Sequence, residues 1–219
     1  MPGTSHLIGK KKRGVYMKLQ LALDRLPREE CIRITKETAE SIDIIEIGTG
    51  VIKEYGMSIV REMRTLFPEK LILADMKTCD AGKHEAHQAF EAGADITTVM
   101  AFSSDLTIKD TLKVADEMGK HIMIDLLEVH SRDRMAELKE LGVKLVSLHV
   151  GKDKQTEGKF NTTLFSLVEG FDFEVAVAGG INLENLPEIA KHQPDIIIAG
   201  SSITGAESPA SIAAEMKNI

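Results

Sequence analysis

Aromatic residues make up only 4% of this 219-residue sequence, and tryptophan is absent. Proteins that bind single-stranded nucleic acid stack bases on aromatic side chains, so this scarcity argues against such a surface. The core must instead be built from Leu, Ile, Val, Ala and Met. The two cysteines, Cys31 and Cys79, are too few for a disulfide framework or a zinc site. We therefore expect a protein of the cytoplasm.

The sequence also lacks a Pro-, Gly- or Ser-rich linker, which predicts one domain. Residues 1–16 hold four basic residues at 10–13 and no acid, so with a net charge of −7 overall the remainder carries −11. Such an acidic body suits neither nucleic acid nor an anionic membrane. Because residues 1–16 lack the apolar run of a signal peptide, we expect a disordered leader or a tag, with a basic targeting arm as the alternative.

From residue 17 onward, short apolar runs alternate with longer amphipathic segments, as in a parallel sheet built from βαβ units. Eight runs predict strands, at 18–24, 42–47, 70–75, 95–100, 121–126, 144–149, 174–178 and 195–199. Eight segments predict helices, at 28–41, 51–67, 83–92, 106–118, 132–141, 163–169, 183–191 and 209–217. Pro near the start and Gly just after the end of several of these segments is typical of helix boundaries.

Eight strand and helix pairs in about 200 residues predict a single-domain α/β fold, the (β/α)₈ TIM barrel, over residues 17–219. An open, doubly wound parallel sheet is the alternative. The sequence has no Gly-x-Gly-x-x-Gly fingerprint after the first strand, which makes the open sheet the weaker interpretation.

The stretch 71–82 begins as an apolar strand and ends in three charges, Asp75, Lys77 and Asp80. In an extended segment Asp75 and Lys77 point to the same side, while Asp80 follows a turn later. An ammonium group beside carboxylates keeps its proton, and a carboxylate beside an ammonium stays ionised and can hold a metal. A solvated loop with a surface salt bridge is the alternative interpretation.

Other predicted strands also end in ionisable residues. Six such groups collect at the carboxyl ends of the strands, where barrels of this kind hold their active sites: Asp24, Glu46, Asp75, Lys77, Asp125 and His149. Each has a structural alternative, such as a helix cap for Asp24 or a hydrogen-bonded core histidine for His149. Their placement at corresponding points of successive repeats favours a shared site.

The last two strands run into glycine turns, Gly179-Gly180 and Gly200-Ser201, each before a helical segment. Glycine lets backbone N–H groups turn toward an anion, and the loops after strands seven and eight are where such barrels hold phosphate. Glu46 and Asp75, on neighbouring strands, offer the hard oxygen ligands that suit Mg²⁺. A ketose phosphate could bind such an ion, which would stabilise an enediolate.

Seven strings carry a resemblance to a known family. They are Leu-Ala-Leu-Asp (21–24), Asp-Ile-Ile-Glu-Ile-Gly-Thr (43–49), Ala-Asp-Met-Lys-Thr-Cys-Asp-Ala-Gly (74–82), Asp-Leu-Leu (125–127), Leu-His-Val-Gly (148–151), Val-Ala-Gly-Gly-Ile (177–181) and Ala-Gly-Ser-Ser-Ile (199–203). Together they resemble the 3-hexulose-6-phosphate synthases of the orotidine 5′-monophosphate decarboxylase suprafamily. The resemblance covers residues 17–219 and implies a reversible, Mg²⁺-dependent addition of D-ribulose 5-phosphate to formaldehyde through a metal-stabilised enediolate.

The resemblance also implies roles for individual residues. Glu46 and Asp75 would bind Mg²⁺, and Asp24 would order the pocket and touch substrate. Lys77 would hydrogen-bond the enediolate, and His149 would transfer the proton. The remaining assignments are Asp80 reaching into the site of a second subunit of a homodimer, Asp125 contacting substrate hydroxyls, and the turns at Gly179-Gly180 and Gly200-Ser201 binding phosphate.

Two other functions stay open. The first is 3-keto-L-gulonate-6-phosphate decarboxylase, a related branch with similar intermediates. That branch has Glu, Thr and Arg where this chain has Asp125, Ala178 and Ser201, whereas Lys152 matches its cationic position. The second is a sugar-phosphate binding protein without catalysis, against which stands the presence of every expected polar residue.

Overall fold

A computed structural model describes residues 17–155 and 160–219; the predicted leader, 1–16, lies outside this part of the chain. Eight parallel strands close into a barrel in sequence order, β1 pairing with both β2 and β8. The strands are β1 (Lys18–Leu23), β2 (Ile44–Ile47), β3 (Leu71–Thr78), β4 (Ile96–Met100), β5 (His121–Asp125), β6 (Leu145–His149), β7 (Glu174–Ala178) and β8 (Ile196–Ala199). The predicted (β/α)₈ barrel is confirmed.

Helices follow the strands on the outside of the barrel. They are α1 (Arg28–Thr38), α2 (Thr49–Tyr55), α3 (Met57–Leu66), α4 (Gly82–Glu91), α5 (Asp105–Met118), α6 (Arg132–Glu140), α7 (Phe165–Val168), α8 (Leu186–Ala190), α9 (Ser201–Thr204) and α10 (Pro209–Lys217). The single helix predicted at 51–67 is wrong. Gly56, at φ +61°, divides that segment into α2 and α3, because the left-handed region is open to glycine and ends a helix.

Two apolar layers hold the barrel together. Outward-facing strand residues such as Leu21, Ile45 and Ile72 pack against the helices, and inward-facing residues fill the lumen. The lumen layer consists of Ala22, Ile44, Leu73, Ile96, Met123, Leu145, Ala176, Ala178, Ile196 and Ile198. Because these side chains fill the lumen, a ligand can bind only in the cavity at the carboxyl end of the barrel.

Strand β3 is longer and less regular than the sequence pattern predicts. It continues through Lys77 to Thr78, and its pairing with β4 shifts register between Ala74 and Thr78. Lys77 has φ +48°, in the left-handed region that a residue with a side chain uncommonly adopts. This irregularity sets the direction of the lysine side chain at the rim. Over the described residues, no helix is long and apolar enough to cross a membrane.

Candidate active site

A cavity of about 570 Å³ opens at the carboxyl end of the barrel. Ten of the eleven residues assigned to the site from the sequence line it: Asp24, Glu46, Asp75, Lys77, Asp125, His149, Gly179, Gly180, Gly200 and Ser201. Strand register explains the convergence, since inward-facing residues of parallel strands meet at one end of a barrel. The exception is Asp80, which lies outside this cavity.

Lys77 joins two carboxylates from different strands. Its ammonium nitrogen lies 2.9 Å from Asp75 Oδ2, 3.1 Å from Asp75 Oδ1 and 3.0 Å from Asp125 Oδ2. Burial lowers the pKa of the Lys77 ammonium, but the two carboxylates outweigh that effect and raise the pKa above its ordinary value. Lys77 is therefore a fixed cation at the centre of the cavity, able to stabilise negative charge that develops on a bound molecule.

His149 and Asp125 form a second pair. His149 Nδ1 lies 2.9 Å from Asp125 Oδ2 and 3.1 Å from Oδ1, and Oδ1 also accepts a hydrogen bond from the Leu127 N–H at 2.9 Å. Burial raises the pKa of the Asp125 carboxyl, but His149 and Lys77 outweigh it and hold that pKa at about 2. An ionised Asp125 can only accept, so Nδ1 of His149 carries a proton and donates it. Nε2 is then the ring nitrogen available for proton transfer.

Two further acids lie on the β1 and β2 side of the cavity. Burial, and then the charge of Asp75, raise the pKa of Glu46 to about 8. The same two causes raise the pKa of Asp24, at the mouth of the cavity. A Cβ on Gly48 would lie 2.0 Å from Asp24 Oδ1, so the absence of a side chain at Gly48 makes room for this carboxylate. Arg25, Lys53 and Lys152 also line the cavity, so the carboxyl groups crowd one part of it rather than giving the whole cavity a negative charge.

The donor set fits a divalent cation with hard oxygen ligands. Glu46 accepts a hydrogen bond from the Gln20 amide at 2.7 Å, and its raised pKa reflects a buried carboxylate short of positive charge. The described residues hold no complete cage of three or more His, Cys, Asp or Glu side chains. Two carboxylates with the remaining positions open to water or substrate oxygens is the usual arrangement for Mg²⁺. Glu46 and Asp75 are the residues that would hold it.

The Gly179-Gly180 turn after β7 forms another part of the cavity wall. Gly179 has φ +115°, and a Cβ there would lie 2.5 Å from the Val150 carbonyl oxygen. Gly180 follows at φ +68°, with the Gln155 side chain close to it. Two consecutive positive φ values turn the backbone sharply, as in loops that present N–H groups to an anion. The Gly179-Gly180 turn follows β7, four strands away from β3 around the barrel, whereas the Gly200-Ser201 turn follows β8 and lies next to β1.

Three polar residues that hydrogen-bond to predicted site carboxylates were not assigned from the sequence: Gln20, Thr49 and Thr98. Gln20 contacts Glu46, and both threonine hydroxyls donate to Asp75 at 2.8 Å. Thr49 lies inside one of the strings that carried the family resemblance, whereas Gln20 directly precedes another. Thr98 lies outside those strings, and its only signal was a polar residue at an inward-facing strand position.

Asp80 lines a separate, larger groove of about 780 Å³ beside α4 and α5. Phe102, which is 59% exposed, precedes α5, and Leu106, which is 67% exposed, lies on α5 and lines the groove. Asp80 is thus presented outward, in the same groove as the exposed Leu106. This position separates it from the other site residues of the same chain.

Known proteins resemble the chain in sequence and in fold. Residues 17–216 match the family described as orotidine 5′-phosphate decarboxylase / HUMPS. The 3-hexulose-6-phosphate synthase of Bacillus subtilis is 40% identical, over 93% of this chain and 98% of that protein. The crystal structure of 3-hexulose-6-phosphate synthase from Salmonella typhimurium superposes with a TM-score of 0.89 at 35% identity, covering 92% of this chain and 97% of the other.

A second branch of the family is also similar in structure. The crystal structure of 3-keto-L-gulonate-6-phosphate decarboxylase from Vibrio cholerae superposes with a TM-score of 0.82 at 29% identity, covering 93% of this chain and 97% of the other. The closed barrel and the matches in sequence and structure indicate the same family. The chain belongs to the orotidine 5′-phosphate decarboxylase / HUMPS family.

Proposed function

We propose that this protein is a carbon–carbon lyase of the 3-hexulose-6-phosphate synthase type. It condenses D-ribulose 5-phosphate with formaldehyde to D-arabino-hex-3-ulose 6-phosphate, reversibly, in the cytoplasm. The observation that carries the proposal is the Lys77 ammonium held between Asp75 and Asp125 in a cavity that also contains Glu46 and His149. The similarity to synthases of that name supports the choice of reaction.

The glycine turns and the carboxyl groups of the cavity suggest how the substrate lies. The backbone N–H groups of the turns at Gly179-Gly180 and Gly200-Ser201 would bind the phosphate, which leaves the ketose carbons beside the carboxyl groups. Asp24 at the mouth would accept a hydrogen bond from a substrate hydroxyl. Mg²⁺ on Glu46 and Asp75 would supply electrophilic stabilisation of the negative charge on the sugar oxygens.

Proton transfer falls to His149. Asp125 holds the ring by Nδ1, so Nε2 can remove the C1 proton of ribulose 5-phosphate. Lys77 donates a hydrogen bond to the oxygen on which negative charge then develops. The carbanionic C1 forms its new bond to the carbonyl carbon of formaldehyde as the C=O π bond opens, and the formaldehyde oxygen takes up the proton that Nε2 removed from C1. Both oxygens of Asp125 already accept protein hydrogen bonds, so the contact of Asp125 with substrate hydroxyls stays a prediction.

The main alternative is decarboxylation of 3-keto-L-gulonate 6-phosphate, which would generate a similar enediolate. Three residues support the synthase: Asp125, Ala178 and Ser201, where the resemblance places Glu, Thr and Arg in the decarboxylases. The similarity is also greater to synthases, at 35–40% identity against 29% for the decarboxylase structure described above. Binding alone does not require the fixed Lys77 ammonium or the His149–Asp125 pair, which argues against a binding protein without catalysis.

The reaction is tested by a pair of assays on the purified protein with Mg²⁺. One follows formaldehyde loss with ribulose 5-phosphate, and the other follows CO₂ release from 3-keto-L-gulonate 6-phosphate. We expect fast formaldehyde loss that EDTA abolishes. Faster CO₂ release would establish the decarboxylase instead, and binding of both sugars without turnover would establish the binding protein.

A homodimer is part of the proposal, with Asp80 entering the site of the partner subunit. Its support is the outward position of Asp80 in a groove that it shares with the exposed Leu106, while Phe102, just before α5, is a second exposed apolar side chain that a partner could cover. Sedimentation should show a dimer, and Leu106→Glu should dissociate it.

Subunit mixing tests the placement of Asp80. Asp80→Ala and Lys77→Ala, each inactive alone, should recover about a quarter of wild-type activity when mixed, because random pairing gives half mixed dimers with one intact site each. Recovery requires that Asp80 and Lys77 of one site come from different chains. If the mixture stays inactive while mixed dimers form, Asp80 does not act across an interface.

A further inference from the structure

Thr98 connects the two most important groups of β3 through one hydroxyl. Its Oγ1 donates to Asp75 Oδ1 at 2.8 Å and accepts the backbone N–H of Lys77 at 2.9 Å. The side chain is buried, projects from β4 into the cavity, and lies across the point where β3 and β4 lose register. A single oxygen therefore fixes a carboxylate and a main-chain segment together.

The main-chain bond bears on the conformation of Lys77. That residue is at φ +48°, where a side chain makes the backbone unfavourable unless neighbouring contacts hold it. The register shift leaves the Lys77 N–H without a regular ladder partner, and the Thr98 hydroxyl takes that place. In the backbone conformation that this hydrogen bond stabilises, the Lys77 ammonium contacts both Asp75 and Asp125.

We propose that Thr98 is a positioning residue that sets the Asp75 carboxylate and the Lys77 ammonium in one arrangement. This inference deepens the proposed function and rests on it for the role of the two groups. Thr49 also donates to Asp75, but it contacts Asp75 alone, through the carboxylate and the main-chain carbonyl. Thr98 is the residue whose loss would disturb the lysine and the carboxylate at once.

The neighbouring Thr97 provides a matched control. It is also a buried threonine on β4, and its hydroxyl donates to the main-chain carbonyl of Ala74 at 3.0 Å. Thr97 faces the helices rather than the cavity, because side chains alternate along a strand. Thr97→Val therefore removes a buried hydroxyl from the same strand without touching the site.

The test compares Thr98→Val, Thr98→Ser and Thr97→Val. For Thr98→Val we expect kcat for formaldehyde addition to fall about 30-fold, since a buried hydrogen bond to a charged group is lost. We expect Thr98→Ser to stay within about threefold of wild type because it keeps the oxygen. Thr97→Val should keep wild-type kcat even where its melting temperature falls.

Two readouts do not depend on turnover. Mn²⁺ used as a probe should bind Thr98→Val about tenfold more weakly than wild type, because outer contacts orient metal ligands. A crystal structure of Thr98→Val should show Lys77 in a different backbone conformation or its ammonium moved from Asp125. Thr98→Ser and Thr97→Val should match the wild type in both respects.

Wild-type kcat and Mn²⁺ affinity in Thr98→Val would overturn the inference, as would an equal loss in Thr98→Ser and Thr98→Val. If the wild-type protein fixes no formaldehyde, the proposed function fails. The Mn²⁺ and crystallographic comparisons then still decide whether Thr98 positions Asp75 and Lys77.

Discussion

Acidic residues at the two ends of the barrel have different partners. At the amino end, Asp43, Asp95 and Asp195 each precede a strand and accept the N–H at the start of the strand before, at 2.7–3.0 Å. Asp95 is also paired with Arg64 and with Lys120, and Asp43 with Lys217. At the carboxyl end, Asp24, Glu46, Asp75 and Asp125 surround Lys77.

This difference separates structural acids from functional ones. The amino-end carboxylates join neighbouring strands, and Asp43 and Asp95 also pair with cations, so they contribute to barrel closure. At the carboxyl end, burial and like charge raise the pKa values of Glu46 and Asp24, which costs stability. Carboxyl groups in a cavity whose pKa values are raised in this way are typical of a functional site.

The largest expected effect is on Asp75. Asp75→Asn removes a proposed Mg²⁺ ligand and one of the two Lys77 partners, so kcat/KM for formaldehyde addition should fall about 10³-fold. The unfolding free energy should fall, because the buried Lys77 ammonium loses one of its two carboxylate partners. Steady-state assays at saturating Mg²⁺ and urea denaturation check the two parts. Wild-type turnover would show that Asp75 has no role in catalysis.

The next effect is the pH dependence of stability. In the metal-free protein the pKa of Glu46 is about 8, against an ordinary value of 4.5, so the folded state retains a proton that the unfolded state loses. The unfolding free energy should therefore fall as pH rises from 4.5 to about 8, by on the order of a few kcal/mol. Glu46→Gln is the control and should remove this slope. Denaturation curves in EDTA across that range measure it, and an identical slope in both proteins would assign it to another group.

Asp95→Asn tests the other end of the barrel. Loss of the charge that meets Arg64 and Lys120 should lower the unfolding free energy by about 2 kcal/mol, since the site is partly open to solvent. Because Asp95 lies at the opposite end from the cavity, kcat should stay within about twofold of wild type. A large loss of kcat with unchanged stability would contradict the division between the two ends.

The smallest effect belongs to an exposed cluster on α1. Arg33 pairs with Glu30 and Glu37 on the helix surface. Arg33→Ala should leave the unfolding free energy nearly unchanged, because exposed pairs contribute little. Urea denaturation at low and high salt measures the unfolding free energy. A loss as large as that of Asp95→Asn would show that burial does not explain the difference between the Arg33 and Asp95 ion pairs.

Sequence patterns predicted the barrel and most of the cavity for the same reason. Each strand pattern ends near the residue that lines the rim, so locating the strands also located Asp24, Glu46, Asp125 and His149. The groups that orient them were harder to find. Thr98 contacts Asp75 from 23 residues away, and Gln20 contacts Glu46 from 26 residues away. Such partners follow from strand register, which spacing along one segment does not reveal.

Local backbone departures also escaped prediction. The positive φ of Lys77 depends on the register shift between β3 and β4 and on the Thr98 hydroxyl, which belong to the fold rather than to the segment. Gly56 gave a local signal, but a glycine inside an amphipathic pattern is compatible with a continuous helix. The structure resolves it as the boundary between α2 and α3.

We propose that Glu46 and Asp75, at the carboxyl end of the barrel, bind a divalent cation. The most direct test is a calorimetric titration of Mg²⁺ into the wild-type protein with ribulose 5-phosphate at pH 7, repeated in two buffers of different ionisation enthalpy. We predict binding that releases close to one proton, because the metal displaces the proton that Glu46 holds at this pH. Glu46→Gln should release none. Mg²⁺ binding with no proton release, or no binding at all, would contradict the account.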